Sequence, residues 1–216
     1  MKSLVFYTGG DTRVEVHVSI LALFGYLFYQ GWKLNLPAWH ITTACVILLG
    51  SVLIHELAHV AAFQSLLDSP SRVLLFAVGG VTIPLSVEEN SARWRLAMVA
   101  LAGPVSNFVL AILSLIVVAA ARDEVTANLG VTTFVINVAL GVFNLIPSLP
   151  FDGGHVFAAL LEGLLGRPRL ASFLTRMIGT LCGCLLLLGA VSLHDPMLGL
   201  TALASLFANS PLARWR

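Results

Sequence analysis

The sequence predicts an all-α polytopic membrane protein with six transmembrane helices and a small membrane-associated β-sheet. Of its 216 residues, 58% are hydrophobic and 11% are charged, whereas soluble domains carry about 25% charged residues. Apolar runs recur along the whole chain, and the longest exceed the ~20 residues that a spanning helix needs. The net charge of +1 provides no basic surface for nucleic acid, so we expect no partner of that class.

Six apolar segments account for the predicted crossings. They cover residues 16–32, 41–67, 96–121, 131–146, 172–193 and 197–212. The first, fourth and last are shorter than the ~20 residues that span a bilayer, so we expect short crossings, with a partly interfacial position as the alternative for the last segment. Because no linker or repeat interrupts the series, we expect residues 1–216 to form a single transmembrane domain.

The distribution of positive charge predicts the orientation of these crossings. If the segments alternate across the bilayer, ten of the twelve Lys and Arg residues fall on one side, and only Lys33 and Arg122 fall on the other. The ten are Lys2, Arg13, Arg72, Arg93, Arg95, Arg167, Arg169, Arg176, Arg214 and Arg216. Cytoplasmic loops carry the excess of positive charge, so both termini should face the cytoplasm. We expect a multi-pass protein of a prokaryotic cell membrane.

Two stretches break the helical pattern and predict the sheet. Near the N-terminus, residues 4–18 are predicted to form a hairpin, because polar residues alternate with valines over residues 13–18 after a glycine-rich turn at 9–11. Residues 73–87 are uncharged, too short to span, and rich in β-branched residues around a glycine pair, which predicts a strand or a hairpin that dips toward the membrane. Strand backbone at membrane depth must be covered by protein or line a wet cavity, because lipid cannot satisfy its amides.

The motif His55-Glu56-Leu57-Ala58-His59 lies inside the second apolar segment. On a helix, two histidines four residues apart project from one face, and the glutamate between them can reach a metal-bound water. Ionisable side chains within a membrane are costly, so the default hypothesis for them is functional. The motif therefore predicts one Zn²⁺ ion per chain, bound in part by His55 and His59, with Glu56 as catalytic base.

Asp152 is the expected third ligand. Besides Glu56 it is the only acid predicted at membrane depth, and it follows a helix break made by Pro147 and Pro150. An aspartate is also a favoured helix N-cap, so a capping role remains open beside the metal role. Water has to reach a hydrolytic site, so we expect it to open toward the cytoplasm.

Two of the asparagines in the apolar segments are candidates for a hydrogen-bonding role. Asn144 is expected to hydrogen-bond the substrate carbonyl or the oxyanion, with an interhelical hydrogen bond as the alternative. For Asn107 we favour the structural role, a hydrogen bond between helices that holds the site only indirectly.

Four motifs in order resemble the site-2 protease family of intramembrane zinc metalloproteases. They are His55-Glu56-Leu57-Ala58-His59, Phe76-Ala77-Val78-Gly79-Gly80, Ala102-Gly103-Pro104-Val105-Ser106-Asn107, and Asn144-Leu145-Ile146-Pro147 leading to Phe151-Asp152-Gly153-Gly154. The resemblance implies zinc bound by His55, His59 and Asp152. It also implies Glu56 as base and Asn144 near a membrane-spanning peptide substrate, usually one already shortened by a first cut.

The sequence also departs from the family pattern. Phe151 replaces the leucine that precedes the aspartate, which is a conservative change. We find no PDZ domain inserted between the motifs and no appended pair of CBS domains, so we expect a minimal catalytic core. Its choice of substrate would then come from the core or from a partner protein.

The glycine pair suggests how a substrate could be held. A helical substrate hides its amides, so hydrolysis requires local unwinding. A strand edge at Gly79, Gly80 and Val81 could pair with the unwound segment.

The predicted function is a zinc-dependent metalloendopeptidase that cleaves membrane-protein substrates in or near their transmembrane segments, within the lipid bilayer (regulated intramembrane proteolysis). Two alternatives remain. A zinc-binding transporter or sensor would not need Glu56, and a catalytically silent membrane scaffold would leave the cost of burying Glu56 unexplained.

Overall fold

The computed structural model describes residues 3–7, 12–77, 79–86 and 93–213. Within these ranges the chain forms seven helices and four strands. They are β1 (Ser3–Tyr7), β2 (Arg13–His17), α1 (Ile20–Lys33), α2 (Ala38–Leu67), β3 (Ser71–Phe76), β4 (Gly79–Pro84), α3 (Arg93–Ala120), α4 (Glu124–Asn144), α5 (Asp152–Leu165), α6 (Pro168–Leu193) and α7 (Pro196–Asn209). A mostly helical chain with one small sheet confirms the predicted fold class at this level.

Four of the described helices are long and apolar enough to cross a membrane, namely α2, α3, α4 and α6. This supports an integral membrane protein, while six crossings stay a prediction. Helix α7 is apolar but has only 14 residues, and α1 has the same length. Because a helix rises 1.5 Å per residue, 14 residues extend about 21 Å, which is less than the ~30 Å hydrocarbon core.

Helix α4 differs from the prediction that the fourth segment is short. It has 21 residues and begins at Glu124, well before the apolar run that starts at residue 131. At this end, the Thr126 backbone N–H and hydroxyl donate to the two Asp123 carboxylate oxygens, each at 2.8 Å. These hydrogen bonds, the backbone one foremost, lower the pKa of Asp123. The prediction was wrong because a helix begins at its cap and not at its first apolar residue.

The chain divides into two compact units. Unit 1 comprises Met1–Glu88 and Ala102–Gly141, and unit 2 comprises Glu89–Leu101 and Val142–Arg216. Unit 1 therefore contains the sheet, α1, α2 and most of α3 and α4. Unit 2 contains α5, α6 and α7.

The sheet of unit 1 consists of two hairpins joined side by side. Strand β1 pairs antiparallel with β2, and β3 pairs antiparallel with β4. Strands β2 and β3 pair in parallel, which gives the order β1-β2-β3-β4. The predicted N-terminal hairpin is confirmed, and the second stretch, predicted as a strand or a hairpin, forms a hairpin that begins at Ser71. The expected turn at residues 9–11 and the end of the second stretch at residue 87 lie outside the described residues.

Helix α2 packs against this sheet. The buried cluster consists of Val14, Ile20, Val60, Val73 and Leu75, which come from β2, α1, α2 and β3. Because Val60 directly follows the histidine motif, burial of this cluster fixes the motif-bearing turn of α2 against the strands. The parallel β2–β3 pairing requires a long crossover connection, and α1 and α2 provide it.

In unit 2, an irregular segment over residues 145–151 leads into α5. Ser148 is fully buried, and its Oγ lies 2.7 Å from Oγ of Ser205 on α7. The side-chain amide of Asn209, also on α7, donates to the Leu149 carbonyl at 2.8 Å. These hydrogen bonds fasten the segment that precedes Asp152 to the C-terminal helix.

Candidate metal centre

Helix α2 carries the three motif side chains in a buried environment. His55, Glu56 and His59 are exposed by only 5%, 4% and 6%. The Nε2 atoms of the two histidines are 3.1 Å apart. Two nitrogens bound to one tetrahedral zinc ion, each at about 2.0–2.1 Å, lie about 3.3 Å apart. The imidazole pair therefore fits one shared ion.

Asn107 on α3 contacts the His55 ring at Nδ1, on the side opposite the Nε2 atom that faces His59. Its Oδ1 lies 2.6 Å from His55 Nδ1, and the asparagine is fully buried. An amide oxygen only accepts hydrogen bonds, so Nδ1 of His55 is the donor and Nε2 keeps its lone pair for a metal. Metal-binding histidines usually make such a hydrogen bond through their second ring nitrogen. The interhelical bond expected of Asn107 thus reaches the histidine itself.

The approach of α3 to the histidines depends on Gly103. A Cβ atom at this position would collide with the imidazoles of both His55 and His59. The absence of a side chain at Gly103 therefore provides the space that the two imidazole rings occupy.

Strand β4 holds the motif glutamate. The Thr82 hydroxyl donates to Glu56 Oε2 at 2.7 Å, and a Cβ atom at Gly80 would collide with the Glu56 carboxylate. The predicted substrate strand therefore lies directly against the predicted base. Sequence reasoning did not identify Thr82. The signal was available, because residues 80 and 82 of a strand share one face.

Asp152 and Asn144 belong to unit 2. Asp152 is the first residue of α5, and Phe151, in an extended conformation, occupies the N-cap position. The alternative that Asp152 is the N-cap is therefore wrong. Asn144 is half-buried and is the last residue of α4. The structure brings His55, Glu56 and His59 together in unit 1, and the roles of Asp152 and Asn144 stay predictions.

Comparison with known proteins gives matches along most of the chain. The model of peptidase family M50 matches residues 119–189, a range that includes Asn144 and Asp152. A zinc metalloprotease from Methanocaldococcus jannaschii is 26% identical, over 84% of this chain and 52% of the relative. A relative from Synechocystis sp. is 33% identical over 62% of this chain and 35% of its own length.

A third relative, Rip3 from Mycobacterium tuberculosis, is 29% identical over 68% of this chain and 41% of its own length. All three have the words zinc metalloprotease in their names. The chain spans about half or less of the length of these relatives.

A solved structure is similar over the full chain. The site-2 protease from Methanocaldococcus jannaschii superimposes with a TM-score of 0.72 and 23% identity, covering 100% of this chain and 97% of that one. This likeness shows the fold. With the family-model match and the curated relatives, it confirms the resemblance to the site-2 protease family that the four motifs indicate.

Proposed function

We propose that the chain is a zinc-dependent intramembrane endopeptidase of the site-2 protease type. The observation that carries this proposal is the buried His55–His59 pair, with Nε2 atoms 3.1 Å apart and Glu56 beside them, on a helix that is long and apolar enough to cross a membrane. Curated relatives named as zinc metalloproteases support the same activity.

His55, His59 and Asp152 would hold the ion, and each offers one atom that can bind a metal. Support for Asp152 comes from its place in the first turn of α5 and from the family match that includes it. Two imidazoles and one carboxylate are a ligand set that catalytic zinc sites use. Zinc, when bound, polarises a carbonyl and lowers the pKa of a bound water toward about 7.

Glu56 is the general base in this mechanism. Its carboxylate accepts a proton from the attacking water and then gives that proton to the leaving amine. The Thr82 hydroxyl orients the carboxylate through Oε2. Because Glu56 is almost completely buried, few water molecules compete for it, and its position is defined by the protein.

Substrate binding involves β4 and Asn144. An unwound substrate segment pairs with β4 along Gly79, Gly80 and Val81, and Asn144 donates to the substrate carbonyl oxygen. The position of β4 at the end of the described sheet and the exposure of the Val81 side chain support this role. The substrates are membrane proteins cleaved in or near their transmembrane segments.

The proposed placement in the membrane has six crossings, with both termini and the opening of the site on the cytoplasmic side. The charge bias toward one set of loops supports it. Large apolar side chains exposed along the helices, such as Ile112, Ile116 and Leu185, suit contact with lipid.

Substitution Glu56→Gln tests the activity. We expect the purified variant to keep its zinc and to lose cleavage of a transmembrane peptide by at least about 10³-fold, because the amide cannot accept the proton. A zinc transporter would keep its ion flux in this variant, and a silent scaffold would show no cleavage in either form. Cleavage at the wild-type rate would refute the proposal.

A further inference from the structure

We propose that Asn137 and Ser51 are positioning residues that fix the tautomer of His55 through Asn107. This inference rests on the proposed function only in taking His55 as a metal ligand. No part of it requires that the protein cleave peptides.

The series of hydrogen bonds starts at a backbone carbonyl. Because a carbonyl only accepts hydrogen bonds, it determines which atom of each following side chain donates and which accepts. The Asn137 side-chain nitrogen Nδ2 donates to the carbonyl oxygen of Thr133, one turn earlier on α4, at 2.9 Å. The same nitrogen lies 2.9 Å from Ser51 Oγ on α2. A carbonyl cannot donate, so the nitrogen end of the Asn137 amide faces Thr133 and the oxygen end faces the other way.

The orientation of the Asn137 amide determines that of the Asn107 amide. Its Nδ2 donates to Asn137 Oδ1 at 2.9 Å, so its own Oδ1 is the atom that faces His55. That oxygen lies 2.6 Å from His55 Nδ1, which therefore carries the proton. The lone pair of His55 is left on Nε2, the atom that faces His59. Each step follows from the donors and acceptors of the previous one.

The residues of this hydrogen-bond network are buried, which keeps water from competing with its donors and acceptors. Asn107 and Asn137 are 0% exposed, and Ser51 is buried as well. Water therefore does not offer either amide an alternative partner. If the Asn137 amide flipped, its oxygen would face the Thr133 carbonyl, and its nitrogen would face the nitrogen of Asn107. Both contacts are repulsive, so the network favours one tautomer of His55.

The four residues also form a ring through three helices of unit 1. Ser51 and His55 are four residues apart on α2, so they lie on one face, and Asn137 of α4 and Asn107 of α3 join them. Close packing of α3 and α4 supports this geometry, because a Cβ atom at Gly130 or Gly141 would collide with α3 side chains. This network fixes the orientation of the His55 imidazole as well as the ring nitrogen that carries its proton.

Zinc affinity distinguishes this role from simple helix packing. We would measure the zinc dissociation constant of the purified full chain by competition with a chelator, together with the melting temperature. Asn137→Leu replaces the amide by an apolar side chain of similar size, so it removes the partner that orients the Asn107 amide. We expect it, like Asn107→Leu, to weaken zinc binding by about 10- to 100-fold, the usual effect of losing a hydrogen-bonding partner of a ligand.

The double variant Asn107→Leu/Asn137→Leu gives the decisive comparison. Because Asn137 acts through Asn107, the double variant should bind zinc no more weakly than Asn107→Leu alone. Losses that multiply in the double variant would overturn the proposal. So would an Asn137→Leu protein that melts earlier but binds zinc within twofold of the wild type.

A milder pair of variants covers the case in which the asparagine variants do not fold. Ser51→Ala removes one of the two acceptors of the Asn137 amide, so zinc binding should weaken by about two- to fivefold. Ser114→Ala is the matched control, since this buried hydroxyl bonds only the Ala111 carbonyl of its own helix among the contacts described. Equal zinc affinities of these two variants would overturn the proposal.

The outcome is independent of proteolysis. If the variants weaken zinc binding as expected but the wild-type protein cleaves no membrane peptide, the proposed function fails and this inference survives. If the wild-type protein cleaves peptides but Asn137→Leu has wild-type zinc affinity, the inference fails and the proposed function survives.

Discussion

At the scale of single residues, the position of the Glu56 carboxylate depends on β4, whose Thr82 follows Glu56 by 26 residues in the sequence. Thr82 donates to the Glu56 carboxylate, and Gly80 leaves room for it. The histidine spacing predicts the motif because positions four apart share a helix face. The same periodicity does not indicate which strand or helix will pack against that face, so Thr82 and Asn137 were not identified from sequence. Ser51 was not identified either, although its four-residue spacing from His55 places it on the same face.

Loss of the Thr82 hydroxyl should slow catalysis without releasing the metal. In Thr82→Val the side chain keeps its shape, but one hydrogen bond to a buried carboxylate is lost, at a cost of about 1.4 kcal/mol. We expect kcat for a transmembrane peptide to fall about 10-fold while zinc content is unchanged. Thr82→Ser retains the hydroxyl and should keep most of the activity. Equal rates for Val and Ser variants would contradict this role.

At the scale of elements, alternation and hydropathy predict which segments form and leave the pairing open. The hairpins were predictable because polar and apolar residues alternate in β2 after a glycine-rich turn and because a glycine pair interrupts the second stretch. The parallel pairing of β2 with β3 was not, since it depends on where α1 and α2 return the chain. The early start of α4 depends on the Asp123 hydrogen bonds, which hydropathy does not register.

Helix α7 should stabilise the segment that leads into Asp152. Asn209 donates to Leu149 and lies 3.0 Å from Ser148 Oγ, so Asn209→Leu leaves buried acceptors without this donor. We expect unfolding free energy in detergent to fall by about 1–3 kcal/mol. The control Thr180→Ala removes an exposed hydroxyl that bonds only within α6 among the described contacts, and it should change stability by less than about 0.5 kcal/mol. A loss no larger than that of the control would contradict the fastening role.

At the scale of the whole molecule, composition predicts the membrane class, and charge bias predicts orientation. Both predictions depend on sums over many residues, so the conformation of any one segment has little effect on them. The number of crossings is harder to predict, because the 14-residue helices α1 and α7 fall between a spanning and an interfacial length.

The orientation has a direct test with cysteine labelling. In a variant without Cys45, Cys182 and Cys184, single cysteines replace Asp123 or Arg167, and intact cells are treated with a membrane-impermeant maleimide. We expect the cysteine at position 123 to react from outside, and the cysteine at 167 to react only after permeabilisation, because arginine-rich loops stay cytoplasmic. The reverse pattern would show that the orientation is inverted.

The central claim is that one zinc ion is bound within the membrane by His55, His59 and Asp152. Metal analysis of the purified protein tests it most directly. We expect one zinc ion per chain in the wild type and in Glu56→Gln, and less than about a tenth of that in His59→Ala and Asp152→Asn after dialysis against a weak chelator. Full zinc occupancy in Asp152→Asn would contradict the proposed ligand set, and a wild-type protein without zinc would contradict the account as a whole.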